Sequence, residues 1–223
     1  MTDPMQPDTA LPPPPLQRFA DWLLRKEILG TAQLIWLSII FAACGAYLLA
    51  YSQEAIALVG CAFFIQLRLL CDLLGRMMAA NNDAQPKALL WHELSDRFSD
   101  GLLLVALGYA IGHGWLGWLT AMLAVGTAHI RLFGNSTGLP VSYAHTMGKS
   151  FRMQVMTAGC LLGAIENHFS HSNFLLGVTI VTLCISSVIS CFFRIRRLFD
   201  ALNLQEELDK PTEQAAVWQQ KDE

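Results

Sequence analysis

The residues of this chain that could do chemistry concentrate between Arg68 and Asp100, which reads Arg-Leu-Leu-Cys-Asp-Leu-Leu-Gly-Arg, then a polar turn, then His-Glu-Leu-Ser-Asp-Arg-Phe-Ser-Asp. Arg68, Asp72, Gly75 and Arg76 follow i, i+4, i+7, i+8 spacing and so share one face of a helix, and His92, Asp96 and Asp100 do the same on the next. Two carboxylates at i, i+4 repel one another unless a cation or an arginine lies between them. A hard ion such as Mg2+ or Mn2+ suits carboxylate oxygens better than zinc does. Asp and Arg are costly at membrane depth, and where they occur they face a bundle interior or a watery cavity and meet one another, ions or substrate. This stretch joins two long apolar segments, so the pattern predicts a cation site between facing helices.

Positioning such a site requires a membrane bundle. The chain has 223 residues, 53% of them hydrophobic and 15% charged, with a mean hydropathy of +0.39. A soluble domain carries about 25% charged residues, so the expected fold class is all-α, a polytopic membrane helical bundle. Six spans are expected at 32–51, 54–75, 99–112, 115–133, 153–167 and 174–193, measured against the ~20 apolar residues that cross a bilayer core. The third and fifth are short. Their polar shoulders, Glu93 to Asp100 and Lys149 to Arg152, complete them by facing a cavity instead of lipid.

Outside the membrane domain of 16–198, residues 1–15 hold Pro7 and Pro12 to Pro15 among polar residues and are expected to form a disordered or polyproline-like arm. Leu16 to Leu29 sets Phe19, Trp22 and Leu23 on an apolar face beside basic residues, the pattern of an N-terminal interfacial amphipathic helix. Residues 199–223 read as a polar cytosolic tail with a short helix at its start.

Lys and Arg divide all-or-none between alternate loops. Arg18, Arg25 and Lys26 precede the first span, Arg68, Arg76, Lys87 and Arg97 surround the second join, Arg131, Lys149 and Arg152 the fourth, and Arg194, Arg196 and Arg197 follow the sixth. The loops Tyr51 to Glu54, Gly112 to Trp115 and Glu166 to Asn173 contain none, which places both termini on the cytoplasmic side. Arg194, Arg196 and Arg197 read as snorkelling arginines that set topology. The six cysteines form no Cys-x2-Cys pair and read as small buried hydrophobes. His168 and His171 share a polar loop and read as solvated surface. Neither an internal repeat nor Gly/Pro-broken helices point to a transporter.

The charged stretch resembles the signature of the CDP-alcohol phosphatidyltransferases, Asp-x2-Asp-Gly-x2-Ala-Arg, a spacer, then Gly-x3-Asp-x3-Asp. Asp72 takes the first aspartate, Gly75 stands at the second, Arg76 replaces the glycine, Ala79 keeps the alanine and Ala80 replaces the arginine. The second block fits in two registers: His92 with Asp96, which we prefer, or Asp96 with Asp100 after a longer spacer. The run His92 to Asp100 is similar to a bacterial branch with Asn-Glu-x2-Asp-x2-Ser-Asp, and Met147-Gly148-Lys149-Ser150-x-Arg152 is similar to that branch's Met-Gly-Lys-Ser-x-Arg. The resemblance spans about Leu16 to Leu198.

The resemblance implies a membrane enzyme of phospholipid synthesis that moves a phosphatidyl or phospho-alcohol group from a CDP-linked lipid, such as CDP-diacylglycerol, to an alcohol with release of CMP. It implies Mg2+ or Mn2+ held by Asp72, Asp96, His92 and Glu93, with Asp96 or Asp100 as base. It also implies Arg68, Arg76, Arg131, Lys149 and Arg152 as phosphate or acceptor contacts, a homodimer in the cell (inner) membrane, and no nucleic-acid partner. Glu93 and Asp100 are the residues that could supply the oxygens Gly75 lacks. The missing carboxylate at Gly75 also admits a second reading, a catalytically silent relative that binds nucleotide-lipid or a partner protein.

Overall fold

The computed structural model describes residues 30–81, 86–136, 149–170 and 172–221. The proline-rich arm and the interfacial helix expected before residue 30 lie outside them. The described residues form α-helices joined by short connections, with no strand among them: α1 (Thr31–Tyr51), α2 (Ala55–Asn81), α3 (Pro86–Ala110), α4 (Gly114–Ser136), α5 (Lys149–Ser170) and α6 (Phe174–Lys221). This is the expected all-α membrane bundle. Among the described residues four helices, α1, α2, α4 and α6, are long and apolar enough to cross a membrane. The other two, α3 and α5, are the ones whose N-terminal parts carry the polar shoulders, and those shoulders are helical.

Each helix begins and ends for a local reason. The Gln33 side chain reaches back to accept from the Gly30 N–H at 3.0 Å, closing the first turn of α1. At the other end of α1 the Ser52 N–H donates to Leu48 O at 3.1 Å, and the Ser52 hydroxyl accepts from the Glu54 N–H at 3.2 Å. Pro86 opens α3, where its missing N–H leaves nothing unbonded. Gly112 turns the chain between α3 and α4 at φ 74°, a left-handed conformation that a side chain resists. There the Gly112 and His113 N–H groups donate to Tyr109 O and Gly108 O at 3.0 and 2.9 Å. The tail is helical further than expected: α6 continues unbroken to Lys221. Pro211 apart, its later residues are mostly Leu, Ala, Glu, Gln and Lys, which lose little on entering a helix.

The helices close into a ring in which α1 packs on α2 and α3, α4 on α3 and α6, and α5 on α2 and α6. Small residues set the closest approaches. A Cβ on Gly108 would lie 2.6 Å from the Gly117 Cα, so α3 and α4 meet backbone to backbone, and a Cβ on Gly159 would lie 2.5 Å from Thr179 Cγ2 across α5 and α6. Leu49, Leu58, Ile65, Leu103, Leu107, Met153, Met156 and Leu176 are fully buried in the resulting core. Trp36, Phe63, Trp118, Met122, Ile185 and Phe192 point outward and exposed, as suits a lipid-facing surface.

The two ends of the ring differ. At one end the Asn167 side chain donates to Gln53 O at 2.9 Å, and the Glu166 carboxylate accepts from the Leu175 N–H at 2.8 Å and from the Ser172 hydroxyl. These contacts tie the connections together without a Lys or Arg. At the opposite end the charged residues turn inward.

Candidate active site

The C-terminal part of α2 carries Arg68 and Asp72, the N-terminal part of α3 carries His92, Asp96 and Asp100, and that of α5 carries Arg152, all to the same end of the ring. Burial on α2 continues past the apolar core: Ile65 is fully buried, and one turn on so is Arg68, at 0% exposure. Arg68 can be held there because its Nη2 donates to Asp96 Oδ1 at 2.9 Å and to the Asp96 carbonyl at 3.2 Å. The same nitrogen lies 2.6 Å from Asp100 Oδ1, an ion pair bent away from hydrogen-bond geometry. Arg152 Nη2 reaches Asp100 Oδ2 from the far side at 3.4 Å. Asp96, Asp100 and Arg152 are themselves buried. Buried charges persist only when paired, and here two carboxylates share one guanidinium while one of them meets a second.

The i, i+4 aspartates of α3 therefore have an arginine between them, contributed by a neighbouring helix. Asp72 belongs to a different pair, with His92 Nε2 at 3.2 Å from its Oδ1. A Cβ on Gly75 would meet this same imidazole at 3.4 Å, so the position that lacks a carboxylate faces His92.

These residues do not fit a resident pair of divalent ions. Magnesium demands oxygen ligands at about 2.1 Å in near-octahedral array. Arg68 Nη2 already stands between the Asp96 and Asp100 oxygens, and among the described residues no three His, Cys, Asp or Glu side chains gather into a metal's donor set.

What the cluster does offer is donors. Arg68 Nε and Nη1 and Arg152 Nε are buried with no hydrogen-bond partner among the described residues. Buried donors are ordinarily satisfied, so unpartnered guanidinium N–H groups in a polar cluster suit an anion with several oxygens.

Other expected site residues are placed differently. Glu93 pairs with Arg97 one turn along α3, accepting from its Nε at 3.0 Å, an engagement set by i, i+4 spacing on one helix. The side chains of Arg76, Arg131 and Lys149 lie outside the described residues, as does the Met147-Gly148 step. Arg194 corrects the snorkelling reading: it is buried, and its Nη1 donates to the Thr127 carbonyl of α4 at 2.8 Å. The signal was available in the small polar face of Ser186, Ser187 and Ser190, all buried, which continues at i+4 into Arg194. Cys61, Cys71 and Cys160 are buried as expected, whereas Cys44, Cys184 and Cys191 are only partly buried; Cys61 and Cys160 bring their sulfurs within 3.9 Å across α2 and α5. His168 is exposed, and His171 lies outside the described residues.

No protein-family model matches the chain, and no curated protein matches it. Its fold is shared with phosphatidylinositol phosphate synthase of Mycobacterium tuberculosis. The crystal structure of that protein with CDP-DAG bound superposes with a TM-score of 0.63 at 18% identity, over 82% of this chain and 93% of that one. Its apo form gives 0.61 at 19%, over 82% and 95%, and its complex with manganese and citrate gives 0.62 at 17%, over 82% and 88%. At these identities the likeness is one of fold.

Proposed function

We propose that this chain is an integral membrane phosphotransferase that moves a phosphatidyl or phospho-alcohol group from a CDP-linked lipid to an alcohol acceptor and releases CMP. The observation that carries this reading is the buried cluster of Arg68, Asp96, Asp100 and Arg152, which sets anion-binding guanidiniums beside carboxylates. The shared fold with a synthase crystallised with CDP-DAG supports it.

The acceptor oxygen attacks the lipid-side phosphorus of the diphosphate. A new P–O bond forms as the bond to the bridging oxygen breaks, CMP leaves with that oxygen, and the acceptor's proton passes to a carboxylate. Asp96 is the first choice as base, because it is a motif aspartate in both registers, and Asp100 is the second. Arg68 and Arg152 receive phosphate oxygens through N–H groups whose planar fork favours bidentate contact. Arg76, Arg131 and Lys149, whose side chains lie outside the described residues, are further candidates for contacts to phosphate or an anionic acceptor. Asp72 and His92 hold one another at the edge of the cluster. The protein sits in the inner membrane with both termini and the cluster's end of the bundle on the cytoplasmic side, and acts as a homodimer.

The test is CMP release from CDP-diacylglycerol by purified protein, across glycerol phosphate, inositol phosphate, serine and simple alcohols. Release that depends on one acceptor supports the transferase. Binding of the nucleotide-lipid with no CMP from any acceptor supports the silent relative instead, a reading favoured by Gly75, where a carboxylate is missing.

A further inference from the structure

We propose that Arg68 takes the seat of a divalent cation between Asp96 and Asp100, and that this chain therefore binds the diphosphate of its nucleotide-lipid through guanidinium groups, without a metal ion. The proposal rests on the functional reading above and concerns the same cluster.

Three features of the cluster lead to it. The first is position. Nη2 of Arg68 lies 2.9 Å from one carboxylate oxygen and 2.6 Å from the other, so an ion bridging those oxygens would have to occupy the space the nitrogen fills. The second is charge. Arg68 and Arg152 meet the carboxylates of Asp96 and Asp100 one for one, which leaves little net negative charge to draw a dication in, and two guanidiniums to repel it. The third is the set of unpartnered donors. Arg68 is fully buried, yet its Nε and Nη1 have no hydrogen-bond partner among the described residues, and the same holds for Arg152 Nε. A guanidinium that served only to neutralise two aspartates would be expected to satisfy its remaining N–H groups within the bundle. Donors left open on nitrogens flanking the carboxylate-bound one are matched by the many oxygens of a diphosphate.

Gly75 is consistent with this arrangement. The position that could have added a carboxylate has none, so a dication would find one ligand fewer in a cluster where the protein already supplies its own cation.

Two measurements on the full-length protein in nanodiscs test the proposal. Mn2+ alone is titrated by electron paramagnetic resonance against wild type and Arg68→Gln, and CDP-diacylglycerol binding is measured with EDTA or with Mn2+. We expect no Mn2+ site at the cluster in wild type, and a new one in Arg68→Gln that disappears again when Asp96→Asn is added. We expect the CDP-diacylglycerol affinity of wild type to change less than about two-fold between EDTA and Mn2+, well under the 1.4 kcal/mol that a ten-fold change represents.

Mn2+ binding to wild type that is lost in Asp96→Asn overturns the proposal, as does CDP-diacylglycerol binding that EDTA abolishes while the transferase reading stands. Failure to bind CDP-diacylglycerol under either condition defeats the functional reading and the diphosphate part together, and the Mn2+ titration alone then decides whether Arg68 holds the cation's seat. If Arg68→Gln does not fold, Arg68→Lys replaces it. A lysine keeps the charge as a single point, so it should still exclude Mn2+ while weakening CDP-diacylglycerol binding by about ten-fold or more; Mn2+ binding to Arg68→Lys, or unchanged lipid affinity, counts against the proposal.

Discussion

Replacing Arg68 by Met removes the guanidinium while keeping an unbranched side chain, and leaves two buried carboxylates facing each other. The magnitude follows from the geometry. At 2.6 and 2.9 Å, each ion pair has a gross Coulomb attraction of about 6 kcal/mol at an effective dielectric of about 20. Most of that offsets the desolvation of the charges, and breaking a buried pair from one side costs about 3–5 kcal/mol. Removing Arg68 breaks its ion pairs with both Asp96 and Asp100 from one side, and we expect a cost of about 4 kcal/mol. For a domain of this size that is a fall in melting temperature of roughly 10 °C. The assay is thermal unfolding in detergent of wild type, Arg68→Met, Asp96→Asn and the double variant. Because the neutral amide of Asp96→Asn no longer needs a cation, the double variant should be less damaged than the sum of the singles, with a coupling of about 1–3 kcal/mol. Additive effects, or an Arg68→Met protein within about 1 kcal/mol of wild type, would refute the claim that this guanidinium holds the two aspartates.

Asp96→Asn keeps the shape of the side chain and removes the proton acceptor, so CMP release should fall by about 100-fold or more; full activity in this variant places the base elsewhere. Gly159→Ala drives a methyl into Thr179 and should cost about 1–3 kcal/mol in the same unfolding assay, partly recovered by Thr179→Ala; an unchanged melting temperature would mean that α5 and α6 are not in close contact there. A cysteine at exposed Ser170 should react with a membrane-impermeant thiol reagent added outside the cell and not with reagent confined to the cytosolic side, and the reverse result inverts the topology.

Read alone, the sequence determined that this is a helical membrane protein and which residues share a helix face. Apolar length and 3.6-residue periodicity are local properties, so the spans could be marked, and Asp96 with Asp100 could be seen to need a cation. It could not say which cation. That answer depended on how α2 and α3 are rotated and staggered against each other, and this is set by contacts far from the cluster, such as the packing of α1 on both helices and the Gly108 and Gly117 approach between α3 and α4. In the sequence Glu93 and Asp96 were both candidate metal ligands, Asp96 as a motif aspartate in either register and Glu93 as a source of oxygens that Gly75 lacks. Glu93 pairs with Arg97 four residues on along its own helix, and Asp96 with Arg68 on another helix, a partner that only the packing of α2 and α3 supplies. Arg194 carried the composition of a topology marker, yet the packing of α6 on α4 buries it and gives it the Thr127 carbonyl as a partner. Helical periodicity belongs to one segment at a time, whereas pairing a buried charge belongs to two, and only the assembled ring brings both partners to the same place.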